Sequence, residues 1–288
     1  MVRFQLGAQV TKTAIACSFC YFGLTKRCFC LSEAKGKNRE SRILNFRQKI
    51  VKLLSQYYIN MINKLLKKIY YKYILRFQPY TVVLRERISD EEEKYLLNHK
   101  NYLQKINFSN KKIILEIGFG NGGHIVSMAK KYREQTEVQV FGVDLYKPGA
   151  VKVLKEIDKS NLENLFLSCI DARDVIKQVS KNSLWKIFVL FPDPWTKKHQ
   201  QKKRLVKKDF LEQVLHKTES GGEVTLATDW ENYAESMQNI LESLRIEKKI
   251  TFTKIGEGEE TKNIFETTFA KRAKREGRSI NIFKVSKL

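Results

Sequence analysis

The sequence predicts an α/β fold, an open and mainly parallel doubly wound sheet with helices on both faces and a basic helical extension before it. Three observations carry that prediction. From about residue 79 onward, apolar runs of strand length alternate with stretches of helical spacing. The stretch Lys112–Gly123 opens with an apolar run and breaks into glycines at 118, 120, 122 and 123, and helical spacing resumes at His124. Strand, glycine turn and helix open a βαβ unit that holds a nucleotide. Finally, Glu116, Asp144, Asp171, Asp193 and Asp229 all fall at or just past a predicted strand end. Ligands of such sheets bind outside the carboxyl ends of the strands.

Taken in order, Met1–Leu31 has no acidic residue, and Thr13–Thr25 is uncharged. Thirteen such residues are too few to span a bilayer, which needs about 20. The composition suits a targeting segment or a weakly ordered extension over residues 1–42. Over 43–78, Ile43, Leu44, Phe46, Ile50, Val51, Leu53, Leu54, Tyr57, Tyr58 and Met61 open a helical repeat whose other positions are rich in lysine. A basic amphipathic helix of this kind suits RNA, a partner, or packing on the main domain with a solvated face. Contact with a membrane surface is the less favoured reading. Gln78-Pro79 ends it, because the residue before proline leaves the helical region.

Residues 79–288 form the main domain. Ser89-Asp90-Glu91-Glu92 reads as a helix start with acids in its first turn. Strands are expected after Lys112 and at Val138–Val143, Leu165–Cys169, Trp185–Phe191, Glu223–Thr228, Ile250–Ile255 and Ile280–Val285. Helices are expected near Gly123–Tyr132, Gly149–Ile157, from Ala172, near Lys208–His216 and from Trp230 to about Leu244.

The charge narrows the partners. Fifty-four Lys and Arg against 31 Asp and Glu give a formal +23. A field that positive points to a polyanion, nucleic acid or an anionic membrane. Residues 1–77 carry 16 of the basic residues and 2 of the acids, so the main domain is basic in its own right. Cys17, Cys20, Cys28 and Cys30 could be read as a zinc site, but the second pair has the wrong spacing and the intervening residues are apolar. No metal is expected, and a reducing, cytoplasmic compartment suits the cysteines, with organelle targeting by the N-terminus left open.

The glycine turn reads G-x-G-x-G, where a dinucleotide site wants G-x-G-x-x-G. Glu116, inside the strand end, would repel a pyrophosphate and could pair with an ammonium group. That favours S-adenosylmethionine over a nicotinamide cofactor, although an NAD-linked oxidoreductase and a tight turn without a ligand both remain readings of the turn by itself. Asp144, closing the next strand, could accept both ribose hydroxyls. Asp171 and Asp229 also suit helix caps. Phe191-Pro192-Asp193-Pro194-Trp195 follows the fourth strand, with two prolines to stiffen it and Trp195 as a face for a base. Seven of the twelve residues 197–208 are Lys or Arg, which beside that loop suits phosphate. Lys271, Arg272, Lys274, Arg275 and Arg278 form a second cluster.

The Ile114-Leu115-Glu116-Ile117-Gly118-Phe119-Gly120-Asn121-Gly122 turn, the Phe-Pro-Asp-Pro-Trp loop with its Lys-Lys-His-x-x-Lys-Lys-Arg tail, and Ala227-Thr228-Asp229-Trp230-Glu231 resemble the tRNA (guanine-N7-)-methyltransferases. Gly142–Gly149 resembles the second-strand segment of that family. The likeness runs from about residue 79 to the end. It implies a Rossmann-like class I methyltransferase domain, S-adenosylmethionine as donor, and a guanine in the tRNA variable loop as acceptor. It further implies Glu116, Gly118, Asp144 and Asp171 at the cofactor, Asp193 in the active site, and Lys197, Asp229, Thr267, Thr268 and Phe269 at the substrate. The family has Thr-x-Phe-Glu where this chain has Thr267-Thr268-Phe269-Ala270, and glycine where it has Ala273. A catalytically weakened homologue that binds RNA is therefore the alternative. His124 and His199 are expected to be structural or surface groups, because this chemistry needs no base.

Overall fold

The structure, a computed structural model, describes residues 88–103 and 111–288, together with the isolated positions 51, 54, 56 and 61. The chain divides into two units, Met1–Leu75 and Arg76–Leu288. Val51, Leu54, Gln56 and Met61 are helical. The rest of the predicted extension and basic helix, including the four clustered cysteines, lies outside the described residues.

The second unit opens with α1 (Asp90–Asn98). Ser89 caps it as the sequence predicts: its hydroxyl accepts from the Glu92 N–H while the Glu92 carboxylate accepts from the Ser89 N–H, a reciprocal capping box. Then follow β1 (Lys112–Ile117), α2 (Gly123–Lys131), β2 (Val138–Val143), α3 (Lys147–Ser160), β3 (Leu165–Ser168), α4 (Ala172–Gln178) and β4 (Leu184–Leu190). After a 3₁₀ turn at Lys198–Lys203 come α5 (Lys208–Lys217), β5 (Thr218–Thr228), α6 (Glu231–Ile246) and β6 (Ile250–Ile255). Two short helices, α7 (Lys262–Phe265) and α8 (Thr268–Arg275), precede β7 (Asn281–Lys287).

The seven strands form one sheet in the order β3-β2-β1-β4-β5-β7-β6. The first five are parallel, and β7 runs antiparallel between β5 and β6. The predicted alternation therefore holds, with one antiparallel hairpin edge.

Side chains alternate across β1, so Ile113, Leu115 and Ile117 join the core shared with α4, α5 and α6, while Ile114 joins the core shared with α2 and α3. Glu116 has the same parity as Ile114 and so faces α2. The strand order reverses between β1 and β4, which opens a crevice at their carboxyl ends. A third, smaller apolar cluster lies at that end: Leu190, Phe191, Ala227, Ile264, Ala270 and Ile282.

Candidate active site

The five acids predicted to ring the sheet do lie at the carboxyl ends of the five parallel strands: Glu116 in β1, and Asp144, Asp171, Asp193 and Asp229 after β2, β3, β4 and β5. Their side chains have different partners, and those partners divide the set.

The glycine turn is built as a backbone cradle. Gly118, Gly120 and Gly122 all have positive φ, at 81°, 52° and 80°. A Cβ on Gly118 would meet nothing within 4 Å, so the turn opens there into free space. Behind it the packing is tight. A Cβ on Gly122 would lie 2.0 Å from Val153 Cγ2, and one on Gly149 would lie 2.0 Å from the Gly120 carbonyl. Small residues thus let α3 close against the turn from behind. No side chain caps α2 at Gly122, so its first-turn N–H groups face the turn.

Asp144 locks the two loops together. Its carboxylate accepts from the Gly120 N–H at 2.7 Å and the Tyr146 N–H at 2.9 Å. Burial raises its pKa, and the backbone donors oppose that rise.

Glu116 is buried and takes a different partner from the one expected. Its Oε2 lies 2.7 Å from His124 Nδ1, with both side chains almost fully enclosed. The His124 ring packs 4.6 Å from Phe188 on β4. The carboxylate that the sequence assigns to the cofactor is thus steadied at one oxygen by an imidazole. His124, a structural group as expected, sits at the site because it is on the first turn of α2, over the face Glu116 presents.

Asp171 serves as the N-cap of α4, accepting from the Arg173 N–H at 2.9 Å. Its two oxygens also accept from Arg173 Nε and Nη2 at 2.8 and 2.6 Å. Burial would raise its pKa, but these donors and the Arg173 charge outweigh it and hold the carboxyl below its usual range.

Asp229 pairs with Arg278, whose Nε and Nη2 lie 2.8 and 2.7 Å from its Oδ2. One member of the second basic cluster is thus tied down, and it also pairs with Glu276. The exposed cations Lys271, Lys274 and Arg275 stand beside it on α8.

Asp193 is the exception. Among the described residues its carboxylate has no hydrogen-bond partner. The side chain reaches solvent at the carboxyl end of β4. Burial, and then the charge of Asp144, push its carboxyl up. Its loop is bracketed by two non-glycine residues with positive φ, Phe191 at 51° and Trp195 at 42°. Such backbone is strained and persists where surrounding contacts impose it. Lys203 Nζ sits 4.8 Å above the Trp195 ring. Lys197 is exposed at the start of the basic 3₁₀ turn.

The Thr267–Phe269 segment meets the Asp193 loop and the glycine turn. Thr267 caps α8 by accepting from the Ala270 N–H at 3.2 Å, and it donates to the Ile264 carbonyl at 2.7 Å. Thr268 begins the helix. The Phe269 ring stacks on Phe191 at 6.1 Å between centroids and 18° between planes, and lies 3.9 Å from where a Gly120 Cβ would stand. Half-exposed, it bridges the glycine turn and the Asp193 loop. Ala270, at 1% exposure, is sealed in the apolar cluster below.

The donor set fits the predicted cofactor: an open glycine cradle, free amides at a helix start, and a raised carboxylate at the next strand end. Among the described residues no group of three His, Cys, Asp or Glu side chains could hold a metal ion, and no helix is long and apolar enough to cross a membrane.

Comparison with known proteins adds a family. A family model described as a putative methyltransferase matches residues 110–282. A protein of Wolbachia pipientis wMel called tRNA (guanine-N(7)-)-methyltransferase is 32% identical over 206 residues, covering 70% of this chain and 88% of the relative. Proteins of the same name from Marinobacter nauticus and Buchnera aphidicola subsp. Baizongia pistaciae are 43% and 40% identical over 128 and 134 residues. These two matches cover 44% and 46% of this chain, and the chain spans about half the length of those relatives, 52% and 54%.

Proposed function

Because this chain belongs to the tRNA (guanine-N7)-methyltransferase family, we propose that it transfers a methyl group from S-adenosylmethionine to N7 of a guanine in the tRNA variable loop. The observation that carries the reading is Asp193: a carboxylate with no hydrogen-bond partner among the described residues, raised by burial and the Asp144 charge, on a strained loop beside a glycine cradle and a strip of exposed lysines.

When bound, S-adenosylmethionine supplies a methyl carried on a positively charged sulfur. The backbone of Gly118 and Gly120 would hold it, with Asp144 at the ribose hydroxyls and Asp171 at the rim. Glu116, kept in place by His124, would face the cofactor from beneath the turn.

Guanine N7 carries an in-plane lone pair and no proton, so no residue has to act as a base. What the chain must supply is alignment and tolerance of the positive charge that arrives on the imidazole ring. Asp193 can accept from guanine N–H groups and stabilise that charge. The stack of Phe269 on Phe191 walls the site and keeps the base from wandering. Lys197, with the lysines of the 3₁₀ turn and the cations of α8, would hold RNA phosphates, while Asp229, Thr267 and Thr268 line the substrate side. The comparisons give the RNA-binding, catalytically lapsed alternative no support.

The test is direct. Purified full-length chain, bulk tRNA and methyl-labelled S-adenosylmethionine should yield label in tRNA and alkali-labile scission at a variable-loop guanine. Label elsewhere in the tRNA, or none, would overturn the reading.

A further inference from the structure

Arg204 closes the basic run that follows the Asp193 loop, and it differs from the lysines before it. It is 5% exposed, where Lys197, Lys198 and Lys202 all face solvent or its edge. Among the described residues its guanidinium pairs with no carboxylate. Instead Nε donates to the Pro194 carbonyl at 2.9 Å, and Nη2 and Nη1 donate to Asn232 Oδ1 and the Asn232 carbonyl at 2.8 and 3.4 Å. Its plane lies over Tyr233, 4.6 Å from the ring centroid. Tyr233 is itself fully buried, and its hydroxyl accepts from the Val206 N–H at 3.0 Å. Gln201 donates to the same Asn232 oxygen at 3.1 Å.

A buried cation without a counter-ion costs free energy unless its donors are filled. Here three of its five N–H donors are taken, by the backbone between Asp193 and Trp195 and by the first turn of α6. A lysine could not replace this arrangement, because its point charge cannot span a carbonyl, an amide and a ring face at once.

We propose that Arg204 is a positioning residue for the transfer: by pinning the Pro194 carbonyl to α6, it fixes the aim of the Asp193 carboxylate on one side and the Trp195 ring on the other. The proposal rests on Asp193 being the guanine-side group. It takes Arg204 out of the phosphate-binding strip in which the sequence places it.

The experiment compares Arg204→Lys, Arg204→Gly and Asp193→Ala in the full-length chain. Single-turnover methyl transfer is measured at saturating tRNA and S-adenosylmethionine, alongside both dissociation constants and the melting temperature. Arg204→Lys should slow the transfer by about 10–100-fold, the scale expected of a misplaced group, with both dissociation constants little changed. In Arg204→Gly, millimolar guanidinium should restore part of the lost rate in a saturable manner, and it should not help Asp193→Ala. A residue that only supports folding would lower the melting temperature without slowing transfer well below it, and guanidinium would restore nothing.

Should Arg204→Gly fail to fold, the Arg204→Lys rate decides. A wild-type rate in Arg204→Lys, or a loss that disappears once weaker tRNA binding is saturated, overturns the proposal while an inactive Asp193→Ala leaves the active-site reading standing. A fully active Asp193→Ala overturns both.

Discussion

The Asp144 carboxylate, at the end of β2, acts through space on the carboxyl of Asp193, which follows β4 across the intervening β1. Burial and then the Asp144 charge raise the Asp193 carboxyl above the ordinary range. Its ionised form is therefore the strained one. An arrangement that disfavours a charge in the resting protein is suited to receive a cation during reaction.

The pH dependence follows from the sign of that shift. A carboxyl raised on folding binds its proton more tightly in the folded chain than in the unfolded one, so stability falls as pH rises from the ordinary value, about 4, through the raised one. Replacing Asp193 by Asn removes that loss. The melting temperature of Asp193→Asn should thus gain on wild type as pH rises across this window. The single-turnover rate of the wild type should fall off on the acid side at a pH above 4. A rate still flat at pH 4, or no relative gain in melting temperature, would contradict the assignment.

Two glycines of one turn should answer differently to alanine. At Gly122 the new Cβ meets both a positive φ and Val153 at 2.0 Å. Strain and overpacking together should cost about 2–4 kcal/mol in denaturant unfolding. At Gly118 only the positive φ is offended, for a cost of about 1 kcal/mol, but the methyl enters the open cradle. Gly118→Ala should therefore lose S-adenosylmethionine affinity out of proportion to its stability. Titration calorimetry on both variants separates the two effects, and equal losses of stability would sink the distinction.

Ala270 stands where the resemblance to the family implies an acid. Its burial among Leu190, Phe191, Ala227, Ile264 and Ile282 leaves a carboxylate no water and no partner. Ala270→Glu should lower stability by about 3 kcal/mol or more and should not raise the methylation rate. A faster, equally stable variant would show that this segment has another arrangement.

Much of this site was legible in the sequence, for identifiable reasons. Period-two and helical spacing specify the sheet and its main helices, and the glycine turn marks where β1 gives way to α2. The pairing of Glu116 with His124 was half visible: the alternation of β1 puts Glu116 on the Ile114 face, and His124 follows the turn on the helix covering that face. The contact itself needed the distance. The Asp171 cap was also foreseen, but Arg173 as its partner was not, because a basic residue in a first turn carries no signal of its own. Arg204 could not be told from its lysine neighbours, since a charge run looks uniform until tertiary packing buries one member. The short helix α7 escaped because four residues are too few to display a period, and α8 because its buried side is only Ala270 and Ala273 among lysines and arginines, which reads as a charge cluster.

The central claim is that Asp193 serves the guanine and not the cofactor. One paired measurement on Asp193→Ala tests it: S-adenosylmethionine binding by titration calorimetry, and methyl transfer to tRNA under single turnover. Wild-type affinity for S-adenosylmethionine with transfer reduced at least about 100-fold is the predicted result. Loss of that affinity, or transfer at the wild-type rate, would contradict it.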